Sequence, residues 1–158
     1  TGQILTPSIG PTRTEQDFVN HVVQTIDLNP DGTWVFIVDQ LNTHQSESLV
    51  RFVTQHCGLD DAGLGIKGES GILKSMPTRK AFLEEESHRI RFVYTPKHTS
   101  WLNQVEIWFS ILVRKLLKRA GFTSVEELRQ RILGFIDYFN KTMAKPFKWT
   151  YTGQPLTV

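Results

Sequence analysis

The feature that most constrains the fold is an unbroken run of β-branched and aromatic residues at 33–38, which ends at Asp39. Such a run is typical of a strand covered on both faces, as in the centre of an α/β sheet. A second run at 89–94 has a similar character and stops at Thr95-Pro96. Segments with helical spacing of apolar residues lie before, between and after the two runs. This alternation predicts an α/β layered fold.

The segments around the two strands carry weaker or more local signals. Residues 3–9 alternate in polarity and predict a short strand. The strings Thr12-Arg13-Thr14-Glu15 and Thr123-Ser124-Val125-Glu126 have the form of capping boxes, which predict helix starts. The first predicted helix runs from the first box to residue 26, and a second follows the polar loop at 40–43 and ends at about residue 56. A third lies near 78–86 and a fourth spans 100–119. The last runs from the second box to about residue 141.

Composition limits the class of protein. Of 158 residues, 39% are apolar, which is enough to fill a core and excludes a disordered chain. The single cysteine excludes a disulfide scaffold and fits a reducing cytosol. No apolar run is long enough to cross a bilayer. We therefore expect a soluble, cytoplasmic protein with no membrane partner.

Residues 58–88 stand apart from the strand and helix patterns. Five glycines fall within positions 58–71, and a charged helical stretch follows. We interpret this segment as a glycine-rich surface insertion before the last strand. It contains a G-x-G-x-x-G string at 63–68, but no hydrophobic strand leads into the string, so a nucleotide-binding module is a weak alternative.

Two carboxylates have settings that suggest chemistry. Asp39 follows a hydrophobic strand, at the sheet edge where α/β proteins place their ligands, although a turn or cap acid is the simpler alternative. Glu106 has apolar neighbours at helical spacing, which predicts that it projects from the apolar side of its helix. A buried carboxylate must be paired, protonated or bound to metal, and Lys97 or His98 could instead close a structural ion pair. Two such oxygen ligands suit Mg²⁺, and two ions could assist phosphodiester cleavage.

Three strings carry a resemblance to a known family. The string DQLNTH at 39–44 places a histidine five residues after Asp39, and YTPKHTSWLNQVE at 94–106 ends in Glu106. These two strings resemble the second and third acidic motifs of DDE transposases, and the resemblance extends to the closing string FKWT at 147–150. The branch is that of the bacterial insertion-sequence relatives of the mariner superfamily. The likeness covers nearly the whole chain.

The resemblance implies a ribonuclease H-like mixed sheet flanked by helices, with Mg²⁺ or Mn²⁺ as cofactor. It also implies DNA strand cleavage and strand transfer at insertion-sequence ends. By that likeness Asp39 and Glu106 are catalytic metal ligands, while Asn103 and His44 line the site. Double-stranded DNA, as transposon ends and target, is the implied partner.

The chain departs from the family pattern in three places. Gln40 stands where the family commonly has asparagine, and the 67 positions from Asp39 to Glu106 exceed the usual spacing. The first catalytic Asp of the family lies upstream of anything that resembles residues 1–2. We therefore expect residues 1–158 to be the C-terminal part of a catalytic domain, partnered by an upstream half. The alternative is a non-catalytic DNA-binding or assembly fragment, and a homodimer stays open.

Charge is divided unevenly along the chain. Residues 1–66 contain two basic and eight acidic side chains, whereas residues 67–158 contain sixteen basic and eight acidic ones. A basic C-terminal half suggests a polyanion partner, and a solvated helix face is the alternative. The candidate DNA-binding residues around the helix of Glu106 are Lys97, His98, Arg114, Lys115, Lys118 and Arg119. A second, weaker candidate for phosphate binding is a cluster in the insertion, which comprises Lys67, Lys74, Arg79 and Lys80.

Overall fold

A computed structural model describes residues 1–96, 104–146 and 148, without the side chain of Arg119. Its described part is a helix-rich α/β structure with two strands and five α-helices. Short 3-10 turns at Asn42–Gln45, Ile72–Lys74 and Leu117–Arg119 connect them. In chain order the elements are α1 (Glu15–Ile26), β1 (Trp34–Val38), α2 (Glu47–His56), α3 (Met76–Glu84), β2 (Ile90–Tyr94), α4 (Gln104–Lys115) and α5 (Val125–Thr142).

The chain divides into two compact units. One unit comprises residues 8–111, and the other comprises residues 1–7 together with residues from 112 onward. The first unit contains both strands and a continuous hydrophobic core. No helix among the described residues is long and apolar enough to cross a membrane.

The two strands form a parallel sheet in the described part of the chain. Trp34 pairs with Ile90 and Val38 with Tyr94, and the rings of Phe36 and Phe92 stack at 5.2 Å between them. The two strand predictions are confirmed, with bounds that differ by one residue. The expectation that β1 is covered on both faces is wrong, because alternate side chains of β1 and β2 are exposed in the described structure. These are Val35, Ile37 and Val93.

The N-cap of helix α1 lies two residues later than predicted. Thr14, rather than Thr12, is the N-cap: its hydroxyl accepts a hydrogen bond from the Asp17 backbone N–H, and the Asp17 carboxylate accepts one from the Thr14 N–H at 2.7 Å. The Thr12 hydroxyl also donates to Asp17, at 2.8 Å. The capping box therefore uses Asp17 as its acid, because that carboxylate is three residues beyond the extended residue Thr14.

The prediction of a strand at residues 3–9 is wrong. These residues have no regular secondary structure. The side chain of Asn140 on α5 instead makes both hydrogen bonds with the backbone of Ile4, at 2.8 Å each. A side-chain amide has the same donor and acceptor as a backbone peptide, so it pairs with one extended residue without a neighbouring strand.

The glycine-rich segment is largely exposed, but three of its leucines are buried in the core. Leu64, Leu73 and Leu83 have exposed fractions of 5% or less and belong to the core cluster with α1, α2 and both strands. Gly71 has a φ of +64°, and a Cβ there would lie 2.6 Å from the Leu64 carbonyl oxygen. The glycines therefore allow a tight turn that places leucines in the core.

The C-terminal helices follow their predicted patterns where they are described. Helix α4 ends at Lys115, four residues before the predicted end, and a 3-10 turn follows. In α5 the N-cap is Ser124, and Ile136 and Phe139 on its apolar side are buried. The predicted helix start at residues 100–103 and the FKWT string, apart from Lys148, lie outside the described residues.

Candidate active site

Asp39 lies immediately after β1, at the carboxyl end of the parallel sheet. Its Oδ1 atom accepts a hydrogen bond from the Leu41 backbone N–H at 3.1 Å, which closes an Asx turn. The side chain is 38% exposed. Asp39 therefore serves as a turn acid and also presents a carboxylate to solvent.

His44 supplies the second contact to this carboxylate. Its Nδ1 atom lies 2.8 Å from Asp39 Oδ1 and 3.3 Å from the Asp39 carbonyl oxygen. The imidazole packs against Phe18 of α1, with ring centroids 4.1 Å apart, and is 16% exposed. The turn at Asn42–Gln45 brings the histidine back onto the acid five residues before it.

Two further hydrogen bonds tie this loop to the end of β2. The Tyr94 hydroxyl donates to the His44 carbonyl oxygen at 2.6 Å. The Gln40 amide donates to the Thr95 carbonyl oxygen at 2.8 Å. Burial raises the pKa of the Tyr94 hydroxyl, so it remains a donor at neutral pH. Gln40, one of the departures from the family pattern, thus links the ends of the two strands.

A cleft of about 610 Å³ lies beside the Asp39 loop. Leu41, Thr43 and His44 form one wall, and residues of α1 with the segment before it form another. His21 and Phe109 also face this cleft, and the Ser8 hydroxyl lies 3.1 Å from His21 Nδ1. Burial lowers the pKa of His21, which favours its neutral form.

Glu106 differs from its predicted environment. It lies in the first turn of α4 and is exposed, as are its neighbours Val105 and Phe109. The buried side of α4 is formed by Trp108 and Leu112 instead. The expected burial of Glu106 is therefore wrong: the apolar residues around it form a partly exposed face, so no pairing partner is required by burial.

The donor set of the two acids fits a hard divalent cation. Asp39 and Glu106 offer carboxylate oxygens with access to water, which is the ligand environment that Mg²⁺ and Mn²⁺ prefer. No hydrogen bond joins the two side chains within the described residues. The same part of the chain contains no cluster of three or more His, Cys, Asp or Glu side chains that could hold a metal ion.

The structure describes only some of the candidate DNA-binding residues. Arg114 and Lys115 are exposed in the last turn of α4, and Lys118 is exposed on the turn that follows. Lys97, His98 and Asn103, with the side chain of Arg119, lie outside the described residues.

The weaker cluster in the glycine-rich segment makes mainly internal contacts. Lys67 forms ion pairs with Glu15 and Glu47 at 3.6 and 3.7 Å. Arg79 donates to two backbone carbonyl oxygens, and Lys80 lies 3.7 Å from Glu84. The internal contacts of Lys67, Arg79 and Lys80 do not favour phosphate binding by this cluster.

A family model described as DDE superfamily endonuclease matches residues 2–129. The chain belongs to this family. The matched region includes Asp39, His44 and Glu106. No curated protein and no solved structure matches the chain at a significant level. The predicted DDE resemblance is thus confirmed at the level of the superfamily.

The helix-rich α/β architecture of this member of the DDE superfamily is compatible with the predicted ribonuclease H-like fold. Sequence reasoning placed Asp39 at the strand end and named His44, but it missed the contact between them. It also missed Phe18 and Tyr94, which hold His44 from two other elements. The only sequence signal for the contact was the five-residue spacing within DQLNTH.

Proposed function

We propose that this chain is the C-terminal part of a transposase catalytic core of the insertion-sequence branch. Its reaction is metal-dependent DNA strand cleavage and strand transfer at element ends. Membership of the DDE endonuclease superfamily supports a DNA substrate and a divalent metal. The observation that carries the proposal is the position of Asp39, partly exposed at the carboxyl end of β1 inside the matched region.

In this proposal Asp39 and Glu106 are metal ligands. Divalent ions at such a site would activate the attacking water or hydroxyl and stabilise the leaving oxygen. The chain's own residues bind and orient: Asp39 is held by Leu41 and His44, and Glu106 lies at the start of α4. Lys115 and Lys118 would bind phosphates without reading sequence.

The proposal also assigns the first catalytic acid to an upstream half of the transposase. Within the described residues the sheet has two strands, so each strand has an outer edge without a strand neighbour. Unpaired strand edges readily pair with another strand. The exposed Val35 and Ile37 offer apolar area to such a partner.

The experiment compares acid-to-amide variants in the full-length transposase. Glu106→Gln should abolish cleavage of element-end DNA while leaving duplex binding nearly unchanged. Its matched control is Glu126→Gln, because Glu126 is also an exposed acid in the first turn of a helix. Asp39→Asn should likewise abolish cleavage, and its control is Asp60→Asn, since Asp60 closes a similar turn with the Ala62 N–H at 2.9 Å.

The isolated chain should bind duplex DNA but should not nick supercoiled plasmid in Mg²⁺ or Mn²⁺. Nicking by the isolated chain that disappears in Asp39→Ala would contradict the assignment of the first acid to an upstream half. Full-length protein that binds DNA but never cuts it, whatever the metal, would favour the alternative of a non-catalytic DNA-binding fragment. Equal loss of binding and cleavage in Glu106→Gln would make Glu106 structural.

A further inference from the structure

The two carboxylate oxygens of Asp39 have different surroundings, because His44 contacts only one of them. Oδ1 accepts from the Leu41 N–H at 3.1 Å and lies 2.8 Å from His44 Nδ1. Oδ2 has no hydrogen-bond partner among the described residues. The Leu41 N–H and the His44 Nδ1 atom therefore both lie against Oδ1, and Oδ2 is left for a ligand.

We propose that His44 is a positioning residue that orients Asp39 for metal binding through the contact of its Nδ1 atom with Asp39 Oδ1. This inference rests on the proposed function, in which Asp39 is a metal ligand. A carboxylate oxygen and a carbonyl oxygen are acceptors only, so the contacts of Nδ1 with Asp39 Oδ1 and with the Asp39 carbonyl oxygen both require the proton to be on Nδ1. Together with the Leu41 N–H, this contact restricts the rotation of the carboxylate and leaves Oδ2 without a hydrogen-bond partner in the described part of the chain. Outer hydrogen bonds of this kind commonly set the affinity of a metal site.

The surroundings of His44 restrict its movement from two sides. Phe18 of α1 packs on the imidazole with ring centroids 4.1 Å apart. Its ring centroid also lies 6.5 Å from that of Phe92 in the core. The Tyr94 hydroxyl holds the His44 backbone carbonyl at 2.6 Å. The ring and the backbone are thus fixed by different elements, as expected for a residue that positions another.

The chain contains a matched control for this arrangement. His56 packs on Phe52 with ring centroids 4.1 Å apart and an interplanar angle of 34°, against 37° for the pair of His44 and Phe18. The Nδ1 atom of His56 lies 3.1 Å from a backbone carbonyl oxygen and not from a carboxylate. The two histidines therefore share their aromatic packing and differ in the acid.

Mn²⁺ affinity is the first measurement, by isothermal titration or by electron paramagnetic resonance of free Mn²⁺. His44→Ala should weaken Mn²⁺ binding about 10- to 100-fold. His44→Asn should recover much of this loss, because its amide nitrogen can replace Nδ1 as a donor to Asp39. His56→Ala should bind Mn²⁺ as the wild type does.

The second measurement needs no metal. Long-range ¹H–¹⁵N spectra of the histidine rings should show His44 with its proton on Nδ1, and Asp39→Asn should change that signal. A neutral His44 with its proton on Nε2 would overturn the inference, even if the His44 variants fail to fold.

The outcomes separate this inference from the proposed function. If Asp39→Ala abolishes Mn²⁺ binding while His44→Ala binds normally, His44 is not a positioning residue and the metal site stands. If Asp39→Ala binds Mn²⁺ as the wild type does, Asp39 is not a ligand and the proposed site fails. Equal losses in His44→Ala and His56→Ala would indicate a packing effect and contradict the inference.

Discussion

The Tyr94 hydroxyl donates a 2.6 Å hydrogen bond to the backbone carbonyl of His44, fifty residues earlier in the chain. This bond connects the last residue of β2 to the loop that follows β1. Since Val38 pairs with Tyr94 in the sheet, the same residue aligns both the strand end and the candidate site.

Tyr94→Phe removes this donor and leaves the ring in place. We expect a loss of about 1 kcal/mol in the free energy of unfolding, since a partly buried carbonyl no longer accepts this hydrogen bond. Urea denaturation followed by tryptophan fluorescence measures the loss. Tyr138→Phe is the control, because Tyr138 is 55% exposed. Equal stabilities of the Tyr94→Phe variant and the wild type would show that the bond is unimportant.

Leu73→Ala tests whether the glycine-rich segment belongs to the core. Leu73 is fully buried, so its truncation should lower the free energy of unfolding by about 2–5 kcal/mol. Ile66 lies in the same segment and is 60% exposed, so Ile66→Ala should change stability by less than about 0.5 kcal/mol. If both substitutions had similarly small effects on stability, the segment would be a surface insertion that contributes little to the core.

Alanine substitutions at two glycines of this segment distinguish the free-energy cost of backbone strain from that of a steric clash. Gly68 and Gly71 both have positive φ, but a Cβ at Gly68 meets no atom within 4 Å, whereas one at Gly71 lies 2.6 Å from a backbone oxygen. Gly68→Ala should cost about 1–2 kcal/mol from conformation alone. Gly71→Ala should cost clearly more, as thermal unfolding of both variants would reveal. The reverse order would contradict the tight turn.

Stability should fall as the pH drops from 7.5 to 5.5, because of buried histidines. Burial lowers the pKa of His88 against the opposing effects of Glu85 and the Phe82 carbonyl, and the His88 Nδ1 atom is buried without a hydrogen-bond partner in the described structure. The unfolded chain therefore binds protons first as the pH falls, which favours unfolding below the ordinary histidine pKa. Denaturation midpoints at both pH values should differ less in His88→Gln than in the wild type.

His21 acts in the same direction, since burial lowers its pKa as well. A His21→Gln variant, measured alone and with His88→Gln, separates the two contributions. A midpoint difference that neither substitution reduces would assign the acid sensitivity to other groups.

The basic end of α4 should bind DNA through phosphates. The double variant Lys115→Ala and Lys118→Ala should weaken duplex binding and reduce the slope of log affinity against log salt by about 0.9 for each phosphate that is no longer neutralised. Lys141→Ala is the control, because Lys141 is paired with Asp137 at 2.7 Å. Fluorescence anisotropy at several salt concentrations gives the slopes. A slope equal to that of the wild type would place the DNA elsewhere.

Local patterns predicted most of the secondary structure. Strands β1 and β2 and helices α1, α2 and α5 lie close to their predicted positions, because apolar periodicity and caps act within a few residues. The predicted strand at 3–9 failed because a strand needs a neighbour, and the Ile4 backbone pairs with the Asn140 side chain instead.

The sequence by itself determined the family, the alternation of strands and helices, and the position of Asp39 at a strand end. Only the tertiary structure decided that Leu73 is buried, that Glu106 is exposed, and that His44 contacts Asp39 while Phe18 packs on its ring. The physical reason is range: periodicity acts between neighbouring residues, whereas burial and side-chain contacts depend on which distant segments pack together.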